Sequence, residues 1–191
     1  MFKNMAGKGF ADVTTSAKVG SLQKGHAVAF ADMDNDGDQD IYIEMGGAYI
    51  GDAYQNSFFM NPEQNDNNWV SLDLEGAATN KAAVGSKIKL TFTENGKKRS
   101  VYRIVSSGGS FGSQPFKREV GPGQAKTIDE IEIRWNGSGK VQKLQNIAAN
   151  QFLKIREGMA TPEKVLIKKL TFKQGHSHEM PVCVPVVKAS I

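Results

Sequence analysis

Apolar and polar residues alternate at period two over much of the chain. Val70, Leu72 and Leu74 are separated by Ser71 and Asp73; Ile88, Leu90 and Phe92 by Lys89 and Thr91; Ile131, Ile133 and Trp135 by Glu132 and Arg134. Successive side chains of a strand point to opposite faces, so each run predicts a strand with one buried face. Turn formers stand between the runs. Glu94-Asn95-Gly96-Lys97 is a hairpin signal, because Asn-Gly readily takes the left-handed angles of a two-residue turn, and Asn136-Gly137-Ser138-Gly139 repeats the device. Helical periodicity is almost absent, and Val141 to Ala149 is the only ambiguous stretch. The pattern predicts an all-β, mostly antiparallel architecture.

The pattern also divides the chain. Asn61 to Asn68 is wholly polar and poor in helix and strand formers, which marks 62–68 as a linker. Residues 1–61 precede it and 69–158 form a run of short strands. A third piece, 159–191, follows Thr161-Pro162; its Val165-Leu166-Ile167 and Leu170-Thr171-Phe172 read as possible strands, and the proline-bracketed Pro181 to Val187 as an extended arm. Phe2-Lys3-Asn4 and Phe59-Met60-Asn61 look like one landmark used twice, a spacing that suits a propeller blade.

Composition narrows the class. At 191 residues with 20 Gly and 23% charged residues, the chain is a turn-rich globular protein able to bury a core. No apolar run approaches the roughly 20 residues that span a bilayer, and Met1-Phe2-Lys3-Asn4 is no signal peptide, so any export signal is expected outside this sequence. A lone cysteine, Cys183, rules out an internal disulfide and a Cys-x-x-Cys-His haem attachment. Of the net charge of +4, the segment 159–191 carries five Lys against two Glu. One basic tail without interleaved aromatic residues is a poor nucleic-acid footprint, and no nucleic-acid partner is expected.

The main chemical signal is Asp32-Met33-Asp34-Asn35-Asp36-Gly37-Asp38-Gln39-Asp40. Calcium takes six to eight oxygen ligands, which such a loop supplies by turning side chains inward. Asp32, Asp34 and Asp36 are each expected to give an oxygen, Asp38 its backbone carbonyl, and Asp40 to close the shell, with Gly37 permitting the sharp turn. Carboxylates so close repel one another, so a cation should order the loop. An EF-hand would need a Glu where Ile43 stands and helices on both sides, whereas Ala27 to Ala31 and Ile41 to Ile43 look like strands. Magnesium fits less well, since its compact octahedral shell rarely uses an all-protein cage. The alternative is a solvated acidic turn without an ion.

Phe10-Ala11-Asp12-Val13-Thr14, then His26 to Asp32 and the acidic loop, resemble one FG-GAP/VCBS-type repeat, a blade of calcium-binding β-propellers. Trp69 to Glu157 resembles the ASPIC/UnbV domain that follows such repeats in the cartilage acidic protein family. It does so through Asn80-Lys81-Ala82-Ala83-Val84-Gly85-Ser86-Lys87-Ile88, Gly108-Gly109-Ser110-Phe111-Gly112-Ser113-Gln114, Trp135-Asn136-Gly137-Ser138-Gly139 and Asn150-Gln151-Phe152. The sequence departs from the family at Val120-Gly121-Pro122-Gly123 and Trp135-Asn136-Gly137-Ser138, both at turns. The resemblance implies a blade-like calcium segment, a β-sandwich-like domain, an extracellular setting and no established catalytic residues. One repeat cannot close a propeller, so the chain is expected either to be a piece of a longer protein or to pack its lone blade on the second domain or on another subunit.

Other constellations carry less. His176, His178, Glu179 and Cys183 have the chemistry to ligate zinc, copper or haem, but a polar tail that happens to carry histidines is the preferred reading. His26 reads as a structural hydrogen-bonding residue. Ser110 and Ser113 lack the Gly-x-Ser-x-Gly spacing of a nucleophile elbow. The expectation is thus a non-catalytic, calcium-stabilised extracellular binding or adhesion module, with a protein or glycan partner at the cell surface. The alternative is a filament or surface-layer subunit that joins copies of itself through the C-terminal arm. A metal or redox protein using the tail histidines is the minor reading.

Overall fold

The computed structural model describes residues 1–172 other than Ala6, Leu22, Gln23, Ala48, residues 62–65 and residues 110–113. Among the described residues every regular element is a strand, and none is a helix long and apolar enough to cross a membrane. The chain separates into two compact units.

The smaller unit holds the residues before Asp66, the segment around Gly108 and Gln114, and the stretch that starts at Lys169. Its strands are β1 (Phe2–Asn4), β2 (Phe10–Asp12), β3 (Gly25–Ala31), β4 (Asp40–Met45) and β5 (Ser57–Phe59). The first two form a hairpin, and the other three an antiparallel sheet in the order β3-β4-β5. Ile41 and Phe59 are buried at its centre, with Met1, Val19, Val28 and Ile43 packed against them. The two copies of the Phe-x-Asn landmark fall in different sheets and environments: Phe2 is 70% exposed on β1, and Phe59 is 6% exposed on β5.

The larger unit spans Asp66–Ser107 and Pro115–Lys168. It contains β6 (Asn68–Glu75), β7 (Lys87–Glu94), β8 (Lys97–Ile104), β9 (Arg118–Gly123), β10 (Thr127–Arg134), β11 (Val141–Ala148), β12 (Gln151–Arg156) and β13 (Glu163–Val165). These make two four-stranded sheets, ordered β11-β10-β7-β8 and β13-β12-β6-β9. All three alternating runs point inward: Val70, Leu72 and Leu74, Ile88, Leu90 and Phe92, and Ile131, Ile133 and Trp135 join one buried core. Trp135 is the largest fully buried side chain, and its indole N–H donates to Gln142 Oε1 at 3.0 Å, so the one polar atom of the ring is satisfied. The result is the expected all-β, sandwich-like fold, with no closed barrel.

Local chemistry explains most of the turns. Asn95 and Gly96, with φ of 48° and 73°, make the two-residue turn that pairs Glu94 with Lys97. Asn136 to Gly139 is built differently. Only Gly139 there takes a positive φ, 69°, and the loop is closed by Gly139 N–H to Trp135 O at 2.9 Å and Trp135 N–H to Lys140 O at 2.9 Å. Gly137 is required for a separate reason, since a Cβ would lie 2.8 Å from the Thr79 Cα. The ambiguous Val141 stretch is strand β11, and Asn68, in the polar stretch read as a linker, already pairs with Gly123. Among the described residues beyond Thr161-Pro162, only Glu163–Val165 is strand, while Leu170 to Phe172 is not. The arm from Pro181 to Val187 lies outside the described residues. One pairing breaks the antiparallel rule: β12 runs parallel to β6, with Leu153 opposite Leu72.

Glu157 ties three segments of this unit together. Its carboxylate accepts the Ala77 and Thr79 N–H groups, both at 2.8 Å, the Thr79 hydroxyl at 3.2 Å and the Ser138 hydroxyl. Desolvation pushes its pKa up, but the hydrogen bonds from Ser138, Thr79 and Ala77 outweigh it and pull the value down to about 2. A depressed carboxylate stabilises the fold fully above its unfolded pKa, and that contribution fades as pH falls through the folded value. Glu157→Gln is therefore expected to cost about 2 kcal/mol at pH 7, read by urea unfolding. The gap to the unsubstituted protein should close between pH 4.5 and about 2.

Candidate functional site

The acidic loop joins β3 to β4, whose last pair is Ala31 with Asp40. The strand flanks expected from Ala27 to Ala31 and Ile41 to Ile43 are thus present. Two residues supply the left-handed angles that fold the loop inward, Asn35 with φ of 61° and Gly37 with φ of 98°. Asp36 N–H donates to Asp32 Oδ1 at 3.0 Å and Gly37 N–H to Asp32 Oδ2 at 3.1 Å, while Asp38 N–H donates to Asp36 Oδ1 at 3.1 Å. The backbone wraps around the carboxylates in this way, instead of letting them splay into solvent. Asp32 and Asp34 are 7% and 5% exposed.

One carboxylate oxygen from each of Asp32, Asp34 and Asp36 lies within 4.8 Å of the other two. Asp38 and Asp40 stand outside that group. The Asp40 carboxylate is a bracket between segments: Oδ1 accepts the Asn61 N–H at 2.7 Å and Oδ2 the Met33 N–H at 3.0 Å. A carboxylate has lone pairs beyond two such bonds. Asn61 donates its side-chain amide to Gln39 O at 3.5 Å, and its own side-chain oxygen is buried without a hydrogen-bond partner.

The electrostatics match the crowding. Burial pushes the Asp40 carboxyl up to about 6, against the opposing pull of the Asn61 and Met33 N–H groups and with a further push from Asp34 and Asp36. Asp34 is likewise raised, first by burial and then by the charge of Asp36, and is held back by the Asp36 N–H and by Lys169. Lys169 is a partner of opposite charge that spacing did not reveal. Its ammonium lies 3.4 Å from Asp36 Oδ2, the Leu170 N–H donates to Asp34 O at 2.7 Å, and the Phe172 ring meets Phe58 edge-on at 5.5 Å. The stretch from Lys169 to Phe172 thus lies against the loop and its sheet, although 133 residues separate Lys169 from Asp36.

A converging set of carboxylate oxygens, without nitrogen or sulfur, is the donor chemistry of a hard divalent cation such as calcium. Asp32, Asp34 and Asp36 would hold it, and it would supply charge neutralisation that Lys169 provides only in part. Of the remaining sequence candidates, His26 stands exposed at the irregularity between Gly25 and Ala27. Ser110, Ser113, His176, His178 and Cys183 lie outside the described residues. Replacing Asp40 with Ala strips two backbone N–H groups of their acceptor. It should lower the stability of this unit by about 2 kcal/mol, measured by chemical unfolding without added metal.

Comparison with known proteins agrees with the ASPIC/UnbV part of the resemblance. No curated protein matches the chain. Residues 76–162, all but Gly108–Gln114 of which belong to the larger unit, match the family model described as ASPIC and UnbV.

Proposed function

We propose that the chain is a calcium-stabilised, non-catalytic binding or adhesion module of an extracellular protein. In this reading the smaller unit is an FG-GAP/VCBS-type repeat, and the ASPIC/UnbV match is the domain that follows it. The observation that supports it most directly is the convergence of Asp32, Asp34 and Asp36 within 4.8 Å, with Asp32 and Asp34 buried. Three like charges held this close cost energy that a divalent ion removes. The cation acts as a structural pin, and the partner it helps present is a protein or glycan at the cell surface.

A second reading has its own support. β3 and β5 are the outer strands of a three-stranded sheet, and outer strands offer N–H and C=O groups to another chain. Copies of the protein would then join by strand addition from the Pro181 to Val187 arm. Deleting the residues after Gly175 and measuring mass by light scattering separates the two, since a binding module keeps its mass and a self-assembling subunit loses it.

Calcium titration by calorimetry is the direct test of the first reading. Saturating calcium, at a hundred times the dissociation constant, should raise the melting temperature of the smaller unit by about 10 °C or more. Asp34→Asn should weaken binding at least about tenfold, because affinity follows the charge of the ligand set. Absence of heat and of any thermal shift in the unsubstituted protein would sink the proposal.

A further inference from the structure

Two arginines of the larger unit occupy positions that alternation reserves for apolar side chains. Arg103 lies on β8 two residues after Val101, which packs on the core, and opposite the fully buried Ile88. Arg118 lies on β9 two residues before the buried Val120, and opposite the fully buried Leu72. Residues two apart on a strand, and residues directly opposite in a pair, share a face. Each guanidinium therefore starts from the inward face of its own sheet. β8 and β9 are the outer strands of the two sheets, so both charges come from the sandwich's open edge.

Their partners are unusual for buried charge. Arg103 Nε donates to Glu119 O at 3.3 Å and Nη1 to Tyr102 O at 3.1 Å, while Arg118 Nη2 donates to Ser106 O. The first of these bonds sets the Arg103 guanidinium against the residue next to Arg118. Arg118 Nε is buried and has no hydrogen-bond partner. Among the described residues neither arginine forms an ion pair; the Glu119 carboxylate pairs instead with Lys117, at 3.6 Å. Burial lowers the pKa of both; on Arg118 the charge of Arg103 adds to that effect and the Glu119 carboxylate offsets it in part. Two partly buried cations that repel each other, with carbonyl oxygens as their hydrogen-bond acceptors and a Glu119 charge already shared with Lys117, are stabilised when further negative charge joins them. Each still has unused N–H groups in the planar fork that matches an oxyanion.

We propose that Arg103 and Arg118 form a binding site for a tetrahedral oxyanion, sulfate or phosphate, at the β8–β9 edge of the larger unit. The anion is either free in solution or the ester group of a sugar chain. The site is independent of the acidic loop and of its calcium reading.

The test is thermal unfolding and calorimetry on the full chain, with sodium sulfate and sodium phosphate compared against sodium chloride at equal ionic strength. One or both oxyanions should bind at millimolar concentration or below and raise the melting temperature beyond chloride. Arg103→Gln and Arg118→Gln should each weaken binding at least about fivefold, with Arg118→Lys intermediate because it keeps the charge and loses the fork. A sulfated oligosaccharide that binds at least about tenfold more tightly than free sulfate assigns the site to an ester on a polymer, and equal affinity assigns it to the free ion. The sulfate-against-chloride comparison uses the unsubstituted protein, so a variant that fails to fold does not decide the matter. No oxyanion effect beyond chloride overturns the proposal. So does an Arg118→Gln protein that folds and binds as the parent does.

Discussion

An eight-stranded pair of sheets survives in water only if each sheet hides one face, and that requirement governs the larger unit. Trp135, Phe92 and the isoleucines at 88, 131 and 133 occupy the shared interior at 1% exposure or less, each from a position set by strict alternation. A slip of one residue in any central strand would turn this set outward, so register, turn type and loop length are all subordinate to it. The smaller unit has a far thinner interior, centred on Ile41 and Phe59. It leans correspondingly on polar staples such as Asp40, whose two oxygens connect the acidic loop with the end of β5.

The sequence was most informative where a residue's neighbours in space are also its neighbours along the chain. The Asn95-Gly96 turn and the flanks of the acidic loop belong to this class, and so do the three alternating runs, whose burial depends only on which face of a strand turns inward. Legibility failed for contacts between distant segments. Nothing in the spacing of Leu153 and Leu72 announces that β12 lies parallel to β6. Nor does Lys169, one of several lysines near the end of the chain, advertise a carboxylate at Asp36. Asn136-Gly137 misled for a third reason. Gly137 serves a close backbone approach to Thr79, a use of glycine that sequence cannot tell apart from a turn.

Charge is handled in two opposite ways in the two units. Around Asp32, Asp34 and Asp36, negative groups converge and the backbone supplies N–H donors, with one lysine for partial relief. At Arg103 and Arg118 positive groups start from the inward faces and, among the described residues, donate to carbonyl oxygens. Elsewhere the larger unit pairs its charges openly, as where Lys143 meets Glu130 and Glu132 on the solvent face. Such exposed pairs contribute little. The contrast matters because the unbalanced groups, and not the tidy pairs, are where a ligand changes the energy most.

The parallel pairing of β6 with β12 also orders events during synthesis. β6 begins at Asn68, whereas its parallel neighbour ends at Arg156. A nascent chain can zip up the β7–β8 hairpin early from purely local contacts, but the middle of the other sheet stays unfinished until β12 has been made. Throughout that interval Leu72 and Leu74 lack their final cover, a delay inherent in long-range strand pairing. Premature termination shortly before β12 therefore leaves one edge of β6 without its neighbour and its apolar side chains without their final cover.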